Sequence, residues 1–282
     1  MVYNDPLSTR RHRRRGTTAA ALVVALLSAA VYQCSDRKQA ATPSSGVRHE
    51  HSSEQRTSAQ HAPAVPATEA NRNFDFYLLA LSLAPAFCED GHQSRRECRA
   101  LDPQSFAATP LTLHGLWPES LQPGQYQRNC QAGALQLAPA TRSALRRWMP
   151  GEADGLANHE WREHGACTGL SADNYFNAAM DWTARMNVVL GGAIRDVAGG
   201  SANVATLRAA AAAVRPGIGE SIIFVCKNLR GAAPGLQRRP FLTEVRVCLS
   251  RAADGAPQSL LQCAQVQRRD QGCGGSFQVD AP

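Results

Sequence analysis

Two short stretches of this sequence gather residues that can do acid–base chemistry. One is His159-Glu160-Trp161-Arg162-Glu163-His164-Gly165-Ala166-Cys167; the other is Leu113-His114-Gly115-Leu116-Trp117-Pro118-Glu119. The first crowds two histidines and two glutamates together. A zinc-protease helix needs histidines at i and i+4, about 40° apart around the axis. His159 and His164 are five apart, about 140° around, so they diverge and no metal site is expected. Glu160 and His164 are the i,i+4 pair and share a helix face. Alone, such a pair is more often an ordinary charged surface turn.

The second stretch changes that weighing. His114 lies where a strand runs into a turn, with Gly115 and Pro118 punctuating the chain and Trp117 adding an aromatic face. A lone histidine is more often a structural hydrogen bonder, and a lone tryptophan more often core. Two histidines, a glutamate and an aromatic ring on two motifs form a set suited to cleaving a phosphodiester. One neutral imidazole takes a proton from the attacking hydroxyl, and one imidazolium gives a proton to the leaving oxygen. Trp117 can stack on a base, a contact contributing roughly 1–3 kcal/mol.

The elements that must hold these residues read as follows. Residues 74–83 are apolar and nearly continuous, short enough for a strand buried on both faces, and Pro85 stops them. Residues 111–118 predict a second strand leading into a turn. Residues 139–149 have helical spacing. Asn158 is placed to cap a short helix that Gly165 ends. Ser171-Ala172-Asp173 opens a longer helix over 174–190, and alanine-rich 203–214 predicts another. Residues 221–226 and 242–249 read as strands, the latter alternating apolar and polar as a half-exposed strand should. Strands at both ends with helices between predict an α+β domain.

The 282-residue chain carries a formal charge of +7. Residues 1–71 hold nine Lys/Arg against five Asp/Glu, leaving 21 against 18 for the rest, so the domain itself is only mildly basic. That excludes a polycationic tail and fits a modest pull on a polyanion. Lysine occurs only at Lys38 and Lys227. The basic run 10–15 followed by uncharged 16–35 predicts an export signal over 1–35, cleaved or kept as a membrane tether. Residues 36–71 are rich in Ala, Ser, Thr, Pro, His and Gln and read as a disordered linker, leaving 72–282 as the folded domain. Besides Cys34, eight cysteines remain: Cys88, Cys98, Cys130, Cys167, Cys226, Cys248, Cys263 and Cys273. An even number behind an export signal predicts four disulfides in an oxidising compartment, with pairing not fixed by spacing.

TLHGLWP and HEWREHGAC resemble the two signature segments of the ribonuclease T(2) family. DFYLLALSLAPAFC resembles its opening strand, LTEVRVCLS its late strand, and SADNYF its continuation after the second segment. The resemblance covers most of residues 73–275. It implies a secreted or periplasmic, metal- and cofactor-independent enzyme with a central antiparallel sheet, packed helices and four disulfides. The implied reaction on RNA moves the 2′-hydroxyl onto the adjacent phosphorus, leaving a 2′,3′-cyclic phosphate and later a 3′-phosphate. DNA lacks that nucleophile. His164 takes the position of the general base, His114 of the general acid, and Glu160 of the acidic residue beside them. His159 takes a phosphate-binding position, Trp117 a base-stacking one, Glu119 a base-reading one, and Tyr126 an aromatic of the same pocket. The resemblance also implies bridges Cys88–Cys98, Cys130–Cys167, Cys226–Cys273 and Cys248–Cys263. A monomer is expected.

Glu163 departs from the pattern, because the family usually has lysine there to steady the phosphorane's charge. A carboxylate there would repel phosphate, and Arg162, about 200° around the helix from Glu160, should face away. Losing one such stabiliser costs about 2.7–4 kcal/mol in rate terms. The alternative reading is therefore a weakened homologue that binds RNA, unless another arginine reaches in.

Overall fold

The computed structural model describes residues 73–282 apart from 123–124, 126–127, 131 and 267–271. The export signal, the linker and Tyr126 lie outside the described residues. Among those described, seven strands form one sheet: β1 (Phe76–Ser82), β2 (Thr112–Glu119), β3 (Gly200–Asn203), β4 (Ile222–Lys227), β5 (Phe241–Arg251), β6 (Pro257–Leu260) and β7 (Ser276–Val279). The order is β2-β1-β5-β7-β3, with β4 and β6 also paired to β5. The pairings are antiparallel apart from the β5–β7 contact. This is the α+β domain that the pattern of elements predicts, with the central antiparallel sheet that the resemblance implies.

β1 is apolar throughout and buried along nearly its whole length. Tyr77, Leu79 and Leu81 point into the main core, where they join Tyr175, Phe176 and Leu190 of the long helix Ala172–Val197. Leu78 points the other way and packs with Ile223, Val225 and Cys248 in a smaller cluster that Trp117 borders. β2 pairs with β1 alone, and such an edge strand is where a sheet tolerates proline, so the strand runs through Pro118 to Glu119. The turn expected at Gly115–Pro118 is therefore strand.

The site helix spans Leu156–Glu163. It starts after Gly155 (φ +91°), a left-handed position that favours glycine, rather than at Asn158. The long helix is capped by Ser171 as expected but runs seven residues past Leu190, because Ile194 still has core to bury. The alternation in β5 does not mark a solvent face: Thr243 and Glu244 are both buried. Four disulfides, Cys88–Cys98, Cys130–Cys167, Cys226–Cys273 and Cys248–Cys263, are those the resemblance implies. No helix among the described residues is long and apolar enough to cross a membrane.

Candidate active site

His114 owes its direction to an irregularity in β2. Ala80 pairs with Gly115 and Leu81 with Leu113, so His114 is the extra residue of a β-bulge. Bulges re-aim a side chain out of the regular alternation. Here the imidazole joins the face carrying Trp117, with ring centroids 5.2 Å apart. Gly115 is required by close packing, since a Cβ there would collide with the Glu160 carboxylate and the Trp117 indole nitrogen. The long helix fixes the strand from behind. Asn187 accepts from the Leu111 N–H (3.1 Å) and donates to the Leu111 carbonyl (2.8 Å). The buried Tyr175 hydroxyl donates to the Leu116 carbonyl (2.8 Å) and accepts from its N–H (3.3 Å). These bonds satisfy edge-strand groups on both sides of His114.

The site helix delivers Glu160 and His164 to the same place. Glu160 is 1% exposed; its Oε2 accepts from Trp117 Nε1 (2.9 Å), and its Oε1 is 3.8 Å from His114 Nε2. His164 has left helical geometry (φ −133°, ψ −55°), although its N–H still bonds the Glu160 carbonyl (3.0 Å). Its ring lies 5.5 Å from Trp117. Both imidazoles therefore contact one indole, with the Glu160 carboxylate beside it. Gly165 permits the turn that follows, since a Cβ there would strike Trp161 and Tyr175. The Cys130–Cys167 bridge ties this turn to the chain after β2.

The two histidines differ in proton affinity. Burial pushes His164 down to about 4, and the nearby Arg128, His159 and His114 add to the effect. Burial also disfavours a charged His114, but the hydrogen bond to Glu244 and the charges of Glu160 and Glu244 overcome it and raise His114 above its ordinary value. Burial raises the Glu160 carboxyl, against the opposing pull of His114 and the Trp117 bond. Burial likewise raises Glu119, which Arg128 and Arg246 counter.

Of the expected substrate-binding residues, Trp117, His159 and Glu119 are among those described. Exposed His159 and His114 both line a cavity of about 410 Å³, together with Thr112, Glu97, Lys227 and Glu244. Glu119 is half-buried at the end of β2. Glu163 is half-buried, and Arg162, expected to face away, pairs back onto it through Nε (3.3 Å). The sequence reading missed Glu244, whose Oε1 bonds His114 Nδ1 (2.8 Å), and Arg246, which donates to Glu244 Oε2 from Nε (2.9 Å) and Nη2 (2.7 Å). The available signal was a glutamate and an arginine two apart, on one face of an alternating strand.

The arrangement sets an imidazole of raised and an imidazole of lowered proton affinity against one indole, a pair able to give and to take a proton at neighbouring points. Among curated proteins, a ribonuclease of Aeromonas hydrophila is 31% identical over 215 residues, covering 73% of this chain and 85% of that protein. Ribonuclease I of Escherichia coli K12 is 30% identical over 151 residues, covering 42% of this chain and 56% of that protein. Of solved structures, RNase NT in complex with 5′-AMP superposes with a TM-score of 0.55 at 20% identity, covering 74% of this chain and 99% of that one. Ribonuclease MC1 from bitter gourd seeds gives 0.52 at 22%, covering 73% and 100%. These structures share the fold. The sequence profile of the Ribonuclease T2 family matches residues 74–263, and with it the chain belongs to that family.

Proposed function

We propose that the domain is an endoribonuclease that cleaves single-stranded RNA by internal transesterification. His164, neutral in mild acid, takes the proton of the 2′-hydroxyl as that oxygen bonds to phosphorus. His114, charged over the same range, gives the Nε2 proton to the 5′-oxygen as its bond to phosphorus breaks. The products are a 2′,3′-cyclic phosphate and a free 5′-hydroxyl; reversing the roles with water gives the 3′-phosphate. Glu160 stays beside His114, held by the Trp117 N–H, and favours the charged form of His114. Trp117 and Glu119 serve one base, His159 a phosphate, and the 410 Å³ cavity has room for a neighbouring nucleoside. DNA, without the 2′-hydroxyl, stays uncut. The observation that carries this reading is the placement of two imidazoles against one indole that also holds a buried carboxylate; their shifts in opposite directions separate base from acid.

Glu163 favours a second reading, an RNA-binding relative of low activity. Two features weigh against it. Glu163 is paired with Arg162, and Arg128 lies near enough to His164 and Glu119 to bias both. Arg128 is thus the cation we assign to the phosphorane's charge, and arginine's forked donors suit phosphate. The four disulfides support an oxidising, secreted or periplasmic setting. The test is digestion of RNA by the purified domain in EDTA, with end-group analysis. Cleavage with cyclic-phosphate ends supports the first reading; bound but intact RNA supports the second.

A further inference from the structure

We propose that Glu244 and Arg246 of β5 are positioning residues for His114, fixing its ring so that Nε2–H faces the scissile phosphate. The inference rests on His114 being the general acid. β1 lies between β2 and β5, with Ser82 paired to Glu244 and Ala80 to Arg246. Sheet strands are about 4.8 Å apart, so β2 and β5 are two spacings apart and only long side chains meet across the gap. The intervening β1 positions on that face are the small Ala80 and Ser82, which leave the path clear.

Glu244 is 7% exposed and fully engaged on both oxygens. Arg246 occupies Oε2 with two N–H groups, which leaves Oε1 to His114 Nδ1 at 2.8 Å. An ionised carboxylate only accepts, so Nδ1 carries a proton and the exchangeable proton of the cation is the one on Nε2. Arg246 also lies over the Trp117 ring, 5.2 Å from its centroid. Trp117 in turn holds Glu160, whose Oε1 faces His114 Nε2. Glu244, Arg246, Trp117 and Glu160, four side chains from β5, β2 and the site helix, thereby close a ring with the acid. During cleavage the Nε2 proton goes to the leaving 5′-oxygen; Nδ1–H stays on the imidazole, and no proton passes to Glu244.

The titratable and charged groups around His114 are Glu244 and Arg246 from β5, Glu160 and His164 from the site helix and its end, Glu97 from residues 96–99, and, across the shared cavity, His159 and Lys227. Burial opposes a charged Glu244, yet its bond to His114 and the nearby Arg246 hold it down to about 2. It therefore stays ionised throughout the working range.

The test is the pH dependence of dinucleoside monophosphate cleavage by the full oxidised chain and by Glu244→Gln, Glu244→Ala and His114→Ala. Glu244→Gln keeps an acceptor oxygen but not the charge, so the alkaline limb of kcat/KM should move to lower pH. Glu244→Ala should show that move and a further kcat loss of at least about tenfold, with KM changed less than kcat. Partial rescue by Gln over Ala is the signature of orientation plus charge. Wild-type kcat and limb in Glu244→Ala, with His114→Ala inactive, overturn this inference alone. Full activity of His114→Ala overturns the acid assignment beneath it. Histidine ¹⁵N resonances of the unmutated protein give a check independent of variant folding. They should show His114 with Nδ1 protonated when neutral; a bare Nδ1 overturns the inference.

Discussion

At the scale of single residues, the site was largely legible. His114, Trp117, Glu160 and His164 lie in two segments whose residue types already imply proton transfer, and the fold brings all four into contact. Glu244 and Arg246 were not legible, because polar positions in an alternating strand read as solvent-facing. Only the neighbouring strands reveal that this face is the site. Gly115 also needed the structure, since its role is the absence of atoms where Glu160 and Trp117 pack. Gly115→Ala should displace that pair: thermal unfolding should show destabilisation of about 1–3 kcal/mol, the usual cost of overpacking, with kcat/KM down at least about tenfold. Unchanged values would mean the Glu160–Trp117 contact is dispensable. Glu163→Lys should raise kcat. It replaces a carboxylate on the edge of the site by a cation, and a stabiliser of transition-state charge is worth up to about 10²–10³ in rate. Steady-state kinetics decide it, and a lower kcat would give Glu163 a role of its own beside Arg162.

Among the elements, those with strong internal signals were readable. β1 is a nearly continuous apolar run, β5 alternates apolar and polar residues, and the helices at Pro139–Trp148, Ala172–Val197 and Val204–Val214 have helical periodicity, the last two capped by Ser171 and Asn203. β3, β6 and β7 were not anticipated. Each has four residues, and their pairing comes from neighbours rather than from their own composition. The bulge at His114 was equally hidden, since it exists only relative to the register of β1. The long helix stabilises that irregular stretch through Tyr175 and Asn187. Tyr175→Phe strips Leu116 of its hydroxyl partner in a buried setting. Urea denaturation should register a loss of about 1–3 kcal/mol, and activity should fall as β2 loosens. Wild-type stability would show that the edge of β2 needs no such clamp.

For the molecule as a whole, the sheet and the disulfides set the chemistry's environment. His114 hangs from an edge strand, His164 from the end of a helix, and Cys130–Cys167 ties that helix end to the chain leaving β2. Burial pushes both imidazoles down on this scaffold, but the carboxylate partners of His114 raise it on balance, whereas the cationic neighbours of His164 lower it further. The pH dependence of kcat/KM on a dinucleoside monophosphate, for the wild type beside His114→Ala and His164→Ala, measures this directly. A group with a lowered value must be neutral to act as base, so activity should rise with pH through about 4 as His164 loses its proton. A group with a raised value must be charged to act as acid, so activity should fall only above the ordinary histidine range as His114 loses its proton. Either alanine variant should lose about 10²–10⁴ in rate together with its own limb. Undiminished cleavage and an unaltered bell in both variants would contradict the account.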